Sequence, residues 1–146
     1  MPEGVKTVEA PASFGIRRVL NRRYEDALAR VPEALHSEGF GILTEIDMQA
    51  TLKAKLGHDM EDYRILGACN PPLAHQAVEI NRQIGLLLPC NVVVRRDRTD
   101  TDTIIVEAMN PQLMVAVTGQ PALDPVAEDA TTRLRAALAA LGATGI

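Results

Sequence analysis

The strongest constraint on the fold lies beyond the middle of the chain. Two β-branched runs, Cys90–Arg96 and Thr103–Met109, are separated only by Asp97, Arg98, Thr99, Asp100, Thr101 and Asp102. A polar link this short joins antiparallel neighbours, because a parallel crossover needs a dozen residues or more. A purely parallel, doubly wound sheet is therefore excluded, and the hairpin belongs to a mixed α+β fold.

The remaining segments alternate between strand and helix signals. Phe14 to Leu20 reads as a first strand. Asn21 is placed to cap a helix whose apolar positions Tyr24, Ala27, Leu28, Val31, Ala34 and Leu35 recur at three- and four-residue steps, and Gly39 ends it. Pro32 falls inside that pattern and predicts a kink or two short helices, since proline lacks the N–H that the helix ladder uses. Phe40–Ile46 is a second strand. Asp47 caps a small helix with Met48, Leu52 and Leu56 on one stripe, closed by Gly57. Tyr63–Cys69 is a third strand. Asn70 followed by Pro71 starts another helix, which ends near Asn81: the asparagine caps, and the proline gives up a donor that was orphaned anyway. Asn110–Pro111 repeats the device before a short helix. Asp124 is placed to cap the last helix, whose stripe runs through Val126, Ala130, Leu134, Ala137 and Leu141 to a stop at Gly142. Residues 1–12 have no periodicity and read as a mobile arm, leaving a single α+β domain over 13–146.

Composition limits the function classes. A chain of 146 residues has room for one core and is short for two. Hydrophobic residues at 47% and charged residues at 23% fit a globular protein and not a disordered one. Two cysteines are too few for a disulfide scaffold or a four-thiolate zinc site. The start lacks a signal-peptide pattern, and no run approaches ~20 apolar residues, so a cytoplasmic protein with no membrane partner is expected. Phe14, Tyr24, Phe40 and Tyr63 are the only aromatics, which leaves few stacking platforms for single strands. The net charge is −4, and the arginines divide between Arg17, Arg18, Arg22, Arg23 and Arg95, Arg96, Arg98. No nucleic-acid partner is expected from that pattern.

A repeated Cys–Asn pair is the most distinctive local feature: Cys69–Asn70 leaves the third strand, and Cys90–Asn91 enters the fourth. A thiol at a helix N-terminus is acidified by the helix dipole, which singles out Cys69; a free cysteine also packs as a small hydrophobe. The two thiols are expected reduced and within ~10 Å if their strands are antiparallel neighbours, less than the strand length that would otherwise separate them. Glu45 and Asp47 could share acid–base work where the second strand ends, although Asp47 also serves as a cap. His75 and Glu79 fall on the outward side of their helix, His36 and His58 follow no ligand spacing, and no metal site is assigned. No hydrolase elbow, zincin pair or phosphate-binding glycine loop is present.

Three ordered blocks, Gly39–Asp47, Tyr63–Ala74 and Gly85–Val94, resemble the domain-of-unknown-function 302 family across roughly residues 13–118. The resemblance implies a TATA-binding-protein-like β-α-β4-α arrangement: a mainly antiparallel sheet with helices packed on it and two small inserted helices. It also implies a homodimer, to which the aliphatic run Ile84–Leu88 adds residue-level support. It carries no activity and no cofactor. Its blocks place the candidate site at Glu45, Asp47, Cys69, Asn70, Cys90 and Asn91. The leading expectation is a small dimeric binding or accessory protein with a pocket for a small molecule, anion or metal near the two Cys–Asn segments. A thiol-based enzyme or carrier, in sulfur transfer or redox sensing, and a purely structural interaction module are the alternatives.

Overall fold

A computed structural model describes residues 14–142 of the chain. Five strands, β1 (Gly15–Leu20), β2 (Gly41–Asp47), β3 (Tyr63–Cys69), β4 (Cys90–Arg96) and β5 (Ile104–Met109), form one sheet in the order β1-β5-β4-β3-β2. Every neighbouring pair is antiparallel. The helices are α1 (Tyr24–Ser37), α2 (Met48–Leu56), α3 (Pro71–Ile80), α4 (Leu113–Thr118) and α5 (Asp124–Ala139). The order is thus β-α-β4-α with helices inserted between strands, the expected α+β fold.

Strand alternation sorts the side chains. Ile16 and Leu20 of β1, Leu66 and Ala68 of β3, Val92 and Val94 of β4, and Ile104, Val106 and Ala108 of β5 point to one face. There they meet Ala27, Val31 and Leu35 of α1 and Leu134, Ala137 and Leu138 of α5. Each large aliphatic side chain sealed here contributes roughly 1.5–3 kcal/mol. A second buried cluster joins Leu73 and Ala77 of α3 to Ile84, Met114, Leu123 and Val126. The opposite sheet face forms no buried cluster among the described residues.

Several local expectations change. α1 runs unbroken through Pro32. Ala27 and Val31 before the proline and Leu35 after it are all buried in one core, so packing holds both halves in one continuous helix. Asn21 does not cap α1. The first helical bond runs from the Ala27 N–H to the Arg23 carbonyl, so the helix begins two residues beyond Asn21's reach, and Arg23 makes no side-chain cap. Asp124 is likewise no cap, because a 3-10 turn, Pro121–Leu123, leads directly into α5; its carboxylate sits in the first turn, where the helix dipole favours it. The Ile84–Leu88 run is mostly covered. It lies in a second 3-10 segment, Arg82–Leu87, where Ile84 is buried and Leu87 and Leu88 pack on the second cluster, leaving Leu86 exposed.

One glycine locks the β2–β3–β4 junction. Gly67 stands opposite Thr44 and Asn91. A Cβ there would lie 2.3 Å from Thr44 Oγ1 and 2.8 Å from the Pro89 ring. Gly67→Ala is expected to lower unfolding stability by about 1–3 kcal/mol, the usual cost of overpacking. A denaturation midpoint unchanged from the parent would contradict this contact.

Candidate functional site

The antiparallel pairing of β3 and β4 brings the two Cys–Asn segments to one end of the sheet, as their expected neighbourhood required. Ala68 is the register partner of Cys90, so Cys69 lies one position beyond it. By strand alternation Cys90 faces the helices, and Cys69, the last residue of β3, lines the same small cavity beside it. Cys90 is buried and Cys69 half-buried, and both are free thiols. Burial, with a smaller contribution from nearby Cys69, pushes the Cys90 thiol up to about 11. At neutral pH it is therefore protonated and a poor nucleophile.

Asn70 is a structural hinge-pin between two helices. Its Oδ1 accepts from the Leu73 N–H at 3.3 Å, capping α3, and its Nδ2 donates to the Glu38 carbonyl at 3.5 Å, past the end of α1. Gly39, at φ +89°, completes the junction: a Cβ there would approach Asn70 Nδ2 to 2.9 Å. The cavity beside these residues, walled by Phe40, Cys69, Leu73, Cys90 and Met114, holds about 40 Å³. That is little more than the ~30 Å³ share of one water, and its walls are apolar. It is too small for an organic ligand.

Glu45 and Asp47 lie elsewhere. Gly41 pairs with Cys69, whereas Asp47 pairs with Arg64 at the far end of β2, a separation of ~20 Å at 3.3 Å per residue. Asp47 caps α2 by accepting from the Ala50 N–H at 2.9 Å, and its second oxygen lies 3.2 Å from Arg64. Glu45 also binds Arg64, and this hydrogen bond holds the guanidinium pKa up. Beside them, Asp62 takes Arg96 through Nε at 3.0 Å and Nη2 at 2.7 Å. The buried Tyr24 hydroxyl donates to the Val94 carbonyl at 3.1 Å and is kept neutral mainly by its burial. Every charge in this group is paired. The arrangement ties β2, β3 and β4 together and leaves no carboxylate desolvated for acid–base work.

Asn91 belongs to a third place. It is exposed on the sheet face away from α1 and α5. Beside it runs a groove of about 490 Å³, walled by Tyr63, Ile65, Val93, Arg95, Glu107 and Met109 and closed at one end by Phe14, Leu87 and Leu113. This volume falls within the ~300–1,000 Å³ of small-molecule sites, and a mostly apolar lining with a few polar groups is their usual chemistry. The six candidate residues thus separate into a cysteine–asparagine junction, an arginine–carboxylate lattice, and Asn91 on the groove wall. Sequence reading missed the groove's other residues. Their signal was present: Ile65 beside Leu66, and Val93 between Val92 and Val94, make β3 and β4 apolar on both faces.

Among the described residues, no three His, Cys, Asp or Glu side chains come together to hold a metal ion, and no helix is long and apolar enough to cross a membrane. Fold and groove together define a small α+β protein with one helix-covered sheet face and one grooved face. The family model for the domain of unknown function DUF302 matches residues 16–141, and the chain belongs to that family. A crystal structure of an uncharacterized conserved DUF302 protein from Bacillus stearothermophilus superimposes with a TM-score of 0.79 at 30% identity, covering 86% of this chain and 96% of that one. No curated protein matches the chain.

The raised Cys90 pKa has a consequence for stability. The folded state holds this proton more tightly than the unfolded chain, so its contribution is complete below the ordinary value of 9.0 and is lost as pH rises through about 11. Over that window the parent should lose about 2–3 kcal/mol more than Cys90→Ala, two pKa units' worth. Parallel stability–pH curves for the two proteins would contradict this burial.

Proposed function

We propose that this chain is a small homodimeric binding protein whose ligand surface is the groove on the uncovered sheet face. The observation that carries the reading is the contrast between the two cavities. The cysteine cavity has room for about a water, whereas the groove beside Asn91 has about 490 Å³ and mostly apolar walls on the sheet face away from α1 and α5. The protonated Cys90 thiol favours binding over thiol chemistry, and the paired state of Glu45 and Asp47 removes the nearest acid–base couple.

A second copy fits the outer edge of β2. That strand is seven residues long, terminates the sheet, and carries exposed Leu43 and Ile46. Leu43 is the extra residue of a bulge between Ile42 and Thr44. An edge with apolar side chains and no lysine or proline invites pairing with its own copy about a two-fold axis. Such a pair leaves the groove, on β3, β4 and β5, open.

Two measurements test the reading. The neutral apolar fluorophore N-phenyl-1-naphthylamine should saturate at one molecule per chain, and Val93→Asp should abolish the signal by placing a charge on the groove floor. Equal signals from parent and variant would refute groove binding. Light scattering should give twice the 15.8 kDa chain mass, reverting to one chain for Leu43→Lys with Ile46→Lys. A parent monomer at micromolar concentration would refute the dimer.

A further inference from the structure

Resting on that binding reading, the geometry points to the class of ligand: we propose that the groove takes an amphipathic monocarboxylate, with Arg95 holding the head group and Ile65 and Val93 receiving the apolar body. The strand register lays the groove out in rows. Tyr63, Arg95 and Ile105 stand side by side, and two residues along the strands Ile65, Val93 and Glu107 form the next row. Asn91 lies in the row after that, opposite Gly67. From Arg95 to Asn91 the floor therefore extends ~13 Å at 3.3 Å per residue, polar at its two ends, with Ile65 and Val93 between them beside Glu107.

The charges along this floor are unequal in their engagement. Glu107 is neutralised by Arg17 at 3.4 Å. Asp97, two residues beyond Arg95, accepts from the Thr99 and Asp100 N–H groups and the Thr99 hydroxyl. The ion pairs of the described residues take up Arg17, Arg22, Arg23, Arg64, Arg82, Arg96 and Arg133, and none involves Arg95. Arg95 is half-buried on the groove wall, and although its charge also acts on the nearby Asp97 carboxyl it forms no ion pair among the described residues, so the groove offers one guanidinium beside an apolar lane.

A guanidinium presents a rigid fork that matches a carboxylate with two parallel hydrogen bonds. The Tyr63 hydroxyl, beside Arg95, has no hydrogen-bond partner among the described residues and can donate to the same head. A neutral apolar ligand would leave Arg95 to water, and a cationic one would meet like charge. One guanidinium outside the ion pairs of the described residues selects one negative charge, which separates this ligand from polyphosphates and nucleic acids. A straight acyl chain and an aryl acid share this chemistry.

The test titrates the full chain calorimetrically with decanoate, 2-naphthoate and 1-decanol, for the parent, Arg95→Gln and Val93→Asp. At least one carboxylate should bind one per chain, about tenfold or more tighter than decanol, as a charge-assisted pair warrants. Which of the two binds identifies the acyl or the aryl source. Arg95→Gln should bring carboxylate and alcohol to about equal affinity, and Val93→Asp should abolish both. If decanol binds the parent as tightly as decanoate, or Arg95→Gln keeps the preference, the carboxylate assignment falls while groove binding stands. If neither carboxylate binds at millimolar concentration but the neutral fluorophore saturates, the carboxylate assignment falls alone. Failure of all probes, the fluorophore included, overturns the binding reading with it.

Discussion

The antiparallel ladder between β3 and β4 determines where every side chain of interest points. Tyr63 against Arg95, Ile65 against Val93 and Ala68 against Cys90 are fixed by one register. A slip of β3 by one residue against β4 would reverse its two faces, sending Leu66 and Ala68 out of the core and Ile65 into it. Gly67 holds that register from the side, because Thr44 and the Pro89 ring occupy the space where any other residue's Cβ would stand. The groove and the core are two faces of the same pairing.

Polar residues at both ends of the sheet serve the same end. Asn70 joins the close of α1 to the start of α3, and Gly39 gives it the space to do so. At the other end Arg64 is shared by Glu45 and Asp47, while Arg96 grips Asp62 and lies over the Tyr24 ring with its carbon 5.7 Å from the centroid. These contacts are part-buried and mutually connected, so they specify geometry more than they add stability. They also account for several residues that a sequence reader would pick out as chemistry. Asp47 and Asn70 are caps, Glu45 is an arginine partner, and Cys90 is a buried small hydrophobe with a protonated thiol.

Most of the fold was legible because local signals agreed with each other. The short polar link after Arg96 enforced antiparallel pairing, and Asp47, Asn70 and Gly57 act at the helix ends where their chemistry placed them. Asn21, Asp124 and the helix break considered at Pro32 misled for one reason: where a helix starts and whether it continues are decided by packing, and Val31 and Leu35 outweigh a missing N–H. The candidate site was legible only in part. The antiparallel neighbourhood that the hairpin and the family resemblance favour brought the two Cys–Asn segments together, but it could not show that Glu45 and Asp47 lie at the opposite end of β2. Nor could it show that, among the described residues, ion pairs engage Arg17, Arg64 and Arg96 but not Arg95. Such pairing is a property of the assembled sheet.

The proposed ligand surface is the grooved face of the sheet and not the cysteine cavity. Methyl-resolved NMR of the protein labelled at Ile, Leu and Val, with decanoate added, examines it atom by atom. Shifts and intermolecular contacts are expected at the Ile65, Val93 and Leu87 methyls, while Leu73 beside Cys90 and Leu134 in the core stay unmoved. Shifts centred on Leu73, with Ile65 and Val93 silent, would contradict it.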